Sequence, residues 1–377
     1  MKISSLQENL KTGLQTVSHI AGKKANLPIL NNILIKADGD GIKLITTDLE
    51  IGIICSIRGK IEKTGEYTVD SKIITDYISL LSNQKVDIEL SENKLLINGE
   101  NYKTVIKGTL SDEYPLIPQV EKKYFYKAKT DEFKKALSQI IFAVSNSENR
   151  IELTGVFFNF LNEQLTMAAT DSFRLAEKTI NIDSSNKEKD NLKIIVPAKT
   201  LQELIRILAT IKNEDLNNEN KELKIYISDN QILFTVAGIE LVSRLIEGQY
   251  PDYKQIIPKN FVTKAIVNKN DLIRAVKTSS IFSKVGINDI NLDFPIANDK
   301  VVISSASSHA GENITEINSK TEGKDNGVVL NYRFLLDGLN NIDGDNIRVE
   351  IIDGNTPCLF KAFKDEDYVY VVMPIKQ

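Results

Sequence analysis

Apolar positions recur every three to four residues in three segments that start alike, Ser4 to Lys24, Thr130 to Ser145 and Asn268 to Ser283. In the first, Leu6, Leu10, Leu14, Val17 and Ile20 share a face. The second has Phe133, Ala136, Leu137, Ile140, Ile141 and Val144, and the third Leu272, Ala275 and Val276 before a closing Ile281-Phe282. That period predicts amphipathic helices, and Thr130-Asp131-Glu132 supplies an N-cap with acids in the first turn. After each helix the pattern switches to short apolar runs and alternation that predict strands, as in Ile33-Leu34-Ile35, residues 155–160 and residues 290–294. A shorter helix follows in each case, over 71–81, 197–208 and 331–339, and further strands close the unit. The first two units end similarly, on Asp112-Glu113-Tyr114-Pro115 and Gly248-Gln249-Tyr250-Pro251-Asp252-Tyr253. The chain reads as three copies of one helix–strands–helix–strands unit of about 126 residues, an ordinary domain size. The expected class is α+β, each domain having two helices packed on antiparallel sheets. Boundaries near Glu121 and Ile256 divide it into 1–121, 122–256 and 257–377.

Composition narrows the chemistry. The 377 residues are 42% apolar and 26% charged, which argues against disorder. No stretch approaches the ~18 apolar residues of a membrane span, and Met1 to Glu8 lacks the features of a signal peptide. A soluble, cytoplasmic, multidomain protein is expected. Cys55 and Cys358, far apart and flanked by apolar residues, suit buried free thiols in a reducing compartment. The two histidines, His19 and His309, cannot build a His-rich metal site. Phosphate-loop and dinucleotide-binding glycine motifs are missing, so neither metal nor cofactor is expected. Asp38-Gly39-Asp40-Gly41 and Asp343-Gly344-Asp345-Asn346 read as turns rather than calcium loops. The polar stretches 182–192 and 212–222 read as hairpin loops.

Net charge is −4, which hides an uneven distribution. Summed over the six predicted helices with their flanks the charge is +6, leaving −10 on the rest of the chain. Lysine and arginine are good helix formers on solvated faces. Alternatively, the helices form a basic surface facing a polyanion, with weak, salt-dependent phosphate contacts and no sequence preference.

Gly22-Lys23-Lys24-Ala25-Asn26-Leu27-Pro28-Ile29-Leu30 resembles the first-domain signature of the bacterial DNA polymerase III beta subunit, the sliding-clamp family. Residues 46–50 (Thr-Thr-Asp-Leu-Glu), 168–176 (Ala-Ala-Thr-Asp-Ser-Phe-Arg-Leu-Ala), 249–253 and 370–375 (Tyr-Val-Val-Met-Pro-Ile) follow in family order and span the chain. The resemblance implies two three-domain subunits joined head to tail in a closed ring, twelve helices inside and sheets outside. Twelve helices at about 9 Å spacing make a ring of axes about 35 Å across. Less one helix diameter, that leaves a hole of about 24 Å, enough for a B-form duplex. The implied function is that of a non-catalytic processivity factor of the bacterial replicative polymerase, which encircles duplex DNA, slides and tethers its partners. Implied partners are double-stranded DNA, a second copy of the chain, the polymerase catalytic subunit, the clamp loader and other proteins with clamp-binding motifs.

By position in the family pattern, Lys24, Lys72, Arg150 and Lys199 face DNA. The family often has Arg at the first two positions, and Lys keeps the charge without bidentate geometry. A hydrophobic peptide groove is implied at Leu153, Thr170, Ser172, Phe173, Arg174, Leu175, Pro251, Ile256, Pro357, Val371, Met373, Pro374 and Ile375. Ser172-Phe173 replaces the frequent Gly-His, and Asn355 stands where an apolar residue is common. Ile281 and Phe282 are implied to meet the partner's first domain near Val105. Two other classes compete: a carboxylate-dependent hydrolase using Asp48, Glu50 and Asp171, and a protein scaffold unrelated to DNA. Recurrence of Thr-Asp in two repeats suits turn hydrogen bonding better than catalysis.

Overall fold

The structure is a computed structural model and describes residues 1–22, 27–185, 191–211, 222–363 and 365–376. The first repeat contains β1 (Lys2–Leu6), α1 (Gln7–Ser18), β2 (Asn32–Asp38), β3 (Gly41–Thr47), β4 (Ile51–Ile57), β5 (Lys60–Lys63), β6 (Gly65–Asp70), α2 (Ser71–Leu80), β7 (Lys85–Ser91), β8 (Lys94–Asn98) and β9 (Lys103–Thr109). The second contains β10 (Tyr126–Lys129), α3 (Thr130–Ile140), β11 (Gly155–Leu161), β12 (Gln164–Thr170), β13 (Arg174–Asn181), β14 (Asp183–Ser184), β15 (Leu192–Pro197), α4 (Ala198–Thr210), β16 (Glu222–Ile227), β17 (Gln231–Val236) and β18 (Ile239–Arg244). The third contains β19 (Thr263–Asn268), α5 (Lys269–Ser280), β20 (Asp289–Phe294), β21 (Lys300–Ser307), β22 (Gly311–Gly323), β23 (Asn326–Asn331), α6 (Tyr332–Asn341), β24 (Asn346–Ile351), β25 (Cys358–Ala362) and β26 (Tyr368–Val372).

Two differences from the sequence reading have clear causes. A strand precedes each first helix: Lys2–Leu6, inside the segment expected to be helical from Ser4, pairs with β7 and β5 instead. Its Ile3, Ser4 and Ser5 are all buried, so tertiary pairing overrides a helical spacing that carried only Leu6 into that stretch. Shorter helices also carry less charge. Over the described helices α4 holds +1, α5 holds +2 and the other four are neutral, a total of +3 rather than +6. Lys284 lies beyond the end of α5, and Lys23, Lys24 and Lys212 lie outside the described residues.

The chain packs as two compact units, one of residues 1–131, 183–187 and 203–245, the other of 132–182, 188–202 and 246–377. In the first unit, β5-β1-β7-β8-β9 and β4-β3-β2-β6 are the two sheets of the first repeat, and β9 meets β6 over two residue pairs. Beyond β4 the second repeat's sheet continues as β18-β17-β16-β10-β14, through Ile51↔Ser243 to Cys55↔Ile239. The second unit repeats that join. Its sheet β15-β11-β12-β13 continues through Arg174↔Val372 to Lys178↔Tyr368 into β26-β25-β24-β19 of the third repeat. Here one long strand, β22, does the work of two, pairing with β21 over Gly311–Asn318 and with β19 over Ser319–Gly323.

Helix starts follow local chemistry. The carboxylate of Asp70 accepts the Ile73 N–H at 2.8 Å, and Asn268 and Asn331 cap α5 and α6 in the same way. Arg206 of α4 donates to the carbonyls of Gln15 and Thr16 in the last turn of α1, where the helix dipole favours a cation. His19, at the end of α1, meets the buried carboxylate of Glu203. Both cysteines are buried and unpaired; burial pushes the Cys55 thiol up to about 12 and the Cys358 thiol higher still, so both stay protonated. Asp38–Gly41 is the hairpin turn between β2 and β3, while Asp343–Asn346 links α6 to β24. The expected hairpin loop at 212–222 falls almost wholly outside the described residues, as do 186–190 of that at 182–192, whose described ends carry β14 and the start of β15.

Candidate functional site

At the β13–β26 join the two strands bury one face. Leu175 and Val371 are opposite each other across the ladder and belong to a cluster with Leu153, Ala168, Ile195, Tyr250, Tyr253, Leu359 and Val369. Phe157, Ile246, Ile257 and Phe261 pack against it half-buried. Tyr250 stacks on Phe157 at 5.1 Å, and Tyr253 meets the same ring edge-on. The Tyr253 hydroxyl donates to Glu177 at 2.5 Å, so the cluster's polar tips are satisfied.

One tight turn builds the rim. In Thr170-Asp171-Ser172-Phe173-Arg174, the Thr170 hydroxyl donates to the Arg174 carbonyl at 2.6 Å and accepts the Ser172 N–H at 3.1 Å. Asp171 Oδ1 accepts the N–H groups of Phe173 and Arg174 at 2.9 and 3.0 Å. Ser172 sits at φ +77°, in the left-handed region, held by this frame. Asp171 Oδ2 pairs with Arg174 Nε at 3.0 Å; the rest of that guanidinium reaches Asp337 of α6 and the Phe142 carbonyl. The planar cation also lies 4.7 Å from the ring centroid of Phe334 and 5.4 Å from that of Phe142. On the outer side Phe173, 61% exposed, stacks on Phe334 at 6.3 Å. The C-terminal segment runs alongside: Met373 N–H donates to the Phe173 carbonyl and Ile375 N–H to the Val329 carbonyl, each at 2.8 Å.

The groove residues expected from sequence are therefore a mixed set. Leu153, Thr170, Leu175 and Val371 are buried floor. Ser172, Phe173 and Arg174 form the turn; Met373, Pro374 and Ile375 are half-buried beside it. Pro251 is half-buried and Ile256 exposed on the segment entering the third repeat, and Pro357 is half-buried just before β25. Sequence reading missed Phe142, Phe334 and Asp337, which orient the turn through Arg174. An aromatic and an acid three residues apart on an amphipathic helix carry no signal that they serve a turn in another repeat.

Of the expected DNA-facing cations, Lys24 lies outside the described residues. Lys72 is exposed in the first turn of α2 and lines a cavity of about 380 Å³ with Ser18, Gly22, Asn31 and Asp76. Lys199 is exposed in the first turn of α4. Arg150 is exposed in a kinked 3-10 segment, paired with Glu152 at 3.0 Å and within 3.4 Å of the Ser172 hydroxyl. Asp48 and Asp171 of the hydrolase alternative are each engaged in a turn of their own unit. Asp48 is buried in the first unit, its Oδ1 accepting the N–H groups of Glu50 and Ile51 at 3.0 and 2.8 Å, and Asp171 is committed to its own turn. That alternative finds no support.

Three sheet-linked repeats of one plan define a clamp-type protein. Family models for the N-terminal, central and C-terminal domains of the DNA polymerase III beta subunit match residues 1–118, 127–252 and 254–376. The chain belongs to the DNA polymerase III beta-subunit family, the sliding clamps that act as processivity factors in DNA replication. It is 29% identical to the beta sliding clamp of Bacillus subtilis over the whole of both chains. It is also 29% identical to that of Staphylococcus epidermidis over 94% of this chain and 93% of the relative. The crystal structure of the Bacillus subtilis clamp superposes with a TM-score of 0.92 at 28% identity, covering 100% of this chain and 99% of that one. The Pseudomonas aeruginosa beta subunit gives 0.92 at 23% identity with full coverage of both, a likeness of fold alone.

Proposed function

We propose that two copies close head to tail into a ring around duplex DNA and present the β13–β26 groove to short apolar peptides of the polymerase and other replication proteins. The carrying observation is a pattern of strand edges. Twice in the chain the last strand of a five-stranded sheet, β18 or β26, pairs with the outer strand of the preceding repeat's four-stranded sheet, β4 or β13. Applied once more, the rule leaves residues 103–107 of β9, paired only with β8, and the Gly311–Asn318 stretch of β22 with an outer edge that no described strand covers.

Those edges suit each other. β9 exposes Lys103, Val105 and Lys107; β22 exposes Glu312, Ile314 and Glu316. Antiparallel pairing sets Lys-Val-Lys against Glu-Ile-Glu, and an exposed edge with alternating charge resists pairing with its own kind. Val105 is 54% and Ile314 66% exposed. Ile281, 71% exposed, ends α5, and the Phe282 ring lies 3.9 Å from where a Cβ on Gly311 would stand, at the start of the free edge. Ile73 and Leu80 give α2 a matching exposed apolar stripe. Two such heterologous contacts, β9 of each copy on β22 of the other, close a dimer.

In this reading Lys72, Arg150 and Lys199, with Lys24, make loose phosphate contacts and leave retention to topology. The protein is a non-catalytic, cytoplasmic subunit that needs no cofactor. The test loads the chain on nicked circular DNA with a clamp loader, gel-filters in high salt and then linearises the DNA. Retention on the circle with release from the linear form supports the ring, and equal loss from both overturns it. Val105→Glu should shift sedimentation from dimer to monomer.

A further inference from the structure

The second helix of every repeat carries an acid as its sixth residue: Asp76 in α2, Glu203 in α4 and Asp337 in α6. Two of these acids are tied to the end of the preceding repeat's first helix, each through a cation. In the first unit Arg206 binds Glu203 at 2.8 Å and donates to the carbonyls of Gln15 and Thr16 of α1, while His19 meets the same carboxylate. In the second unit Arg174 pairs with Asp337 and donates to the Phe142 carbonyl. Counted from the start of α1 and of α3, His19 and Phe142 are both the thirteenth residue, so the two joints follow one plan. Asp76 is the acid left over. Its carboxylate is exposed and, among the described residues, has neither an ion pair nor a hydrogen bond. Ser79 stands where α4 has Arg206, so α2 lacks the cation that completes the first joint.

We infer that the third joint forms between two copies of the chain, and that Asp76 receives the ammonium group of Lys277 of the partner subunit. The inference rests on the head-to-tail ring proposed above, which sets α2 of one copy against α5 of the other. Lys277 is the ninth residue of α5, as Gln15 is of α1, and Arg206 reaches the carbonyl of Gln15 in the first joint. The cation is thus supplied by the first helix instead of the second, at the same place in the joint. Lys277 is exposed in the last turn of α5, where the helix dipole favours a positive charge, and among the described residues its side chain has no ion pair or hydrogen bond. Ile281 occupies the thirteenth position in place of His19 and Phe142, and it sets apolar surface beside the pair for the partner subunit's Ile73. Glu203 is buried and Arg174 nearly so, whereas Asp76 and Lys277 are both exposed in the single chain. Of the three joints the one between copies is therefore the most sensitive to salt.

Sedimentation equilibrium of the full chain tests the pair. Asp76→Lys and Lys277→Asp should each raise the dimer dissociation constant about tenfold at low salt, because the ring holds two such joints and each contributes about threefold. Combining the two reversals should bring the constant back to within about twofold of the unaltered chain. In about 1 M salt the single reversals should converge on the unaltered chain. Asp76→Asn and Lys277→Gln keep the shapes of the side chains, so they test the pair even where a reversal fails to fold. Each should weaken the dimer about threefold, and together they should do no more than either alone. Single effects that are missing, or that the double reversal leaves unrepaired, overturn the inference. So does repair of Asp76→Lys by Lys284→Asp in place of Lys277→Asp. In all of these cases an unaltered chain that still dimerises leaves the ring standing, whereas a chain that stays monomeric at every concentration overturns the ring reading itself.

Discussion

The turns at Thr47–Ile51 and Thr170–Arg174 share one hydrogen-bond frame and do different things with it. In each the threonine hydroxyl donates to the carbonyl four residues on, 2.9 Å in the first and 2.6 Å in the second. Each aspartate gathers two N–H groups, and Leu49 and Ser172 sit at φ +76° and +77°. The divergence comes after the frame. Ile51 is buried at the β4–β18 join, while Arg174 in the same place gathers Asp171, Asp337 and two rings. One residue later stands Gly52 against Leu175. The glycine lets the linker settle on the sheet: a Cβ there would lie 2.8 Å from Ile117 Cδ1. With Ile117 packed beside Val120, Tyr226, Leu233 and Val242, the first join is covered by the chain's own linker, and its nearby cavity holds self-paired charges such as Lys122–Glu240 and Lys43–Asp40. At the second join Leu175 enters the apolar floor and Phe173 stays exposed. A repeated scaffold thus supplies the frame, and the side chains after it decide what each join packs against.

Breaking the frame should separate the turns most. Asp171→Ala orphans two N–H groups and takes a partner from a nearly buried guanidinium, so it should cost about 2–4 kcal/mol, against about 1–2 kcal/mol for Asp48→Ala. Denaturant midpoints of the two variants measure the gap, and equal losses would mean that the Arg174 network adds nothing. Copying the second join into the first, Gly52→Leu should overpack Ile117 and lose about 1–3 kcal/mol, seen as a lower melting temperature. An unchanged melt would show that the linker moves aside freely. The smallest effect is expected at the rim. Phe173→Ala removes the stack on Phe334, worth about 0.5–1.5 kcal/mol, and should weaken groove peptides by about two- to tenfold. Glu50→Ala, at the counterpart position in the first join, should leave peptide affinity untouched.

Much of the architecture was legible because it is periodic. The six helices follow from apolar spacing over ten or more residues, and the threefold repeat from their recurrence. The strands β1, β10 and β19 were not, since each is a short stretch set directly against a helix, where local spacing cannot mark the change. The turn at 170–174 was legible through its motif; Phe142, Phe334 and Asp337 were not, because they reach Arg174 only through contacts made in the folded unit. The described helices hold +3 where +6 was expected with flanks, and Lys23, Lys24 and Lys212, which carry much of that gap, lie outside the described residues.

Local sequence determined what depends on neighbours along the chain: helix faces, the caps at Asp70, Asn268 and Asn331, and the Thr-Asp turns, whose bonds span four residues or fewer. Only the tertiary structure decided which strand edges meet, that Gly52 admits Ile117 while Leu175 packs in one cluster with Tyr250 and Tyr253, and that Asp293 is left opposite a glycine. Strand pairing joins residues nearly two hundred apart, as Arg174 with Val372, and which edge remains uncovered depends on every other pairing in the sheet.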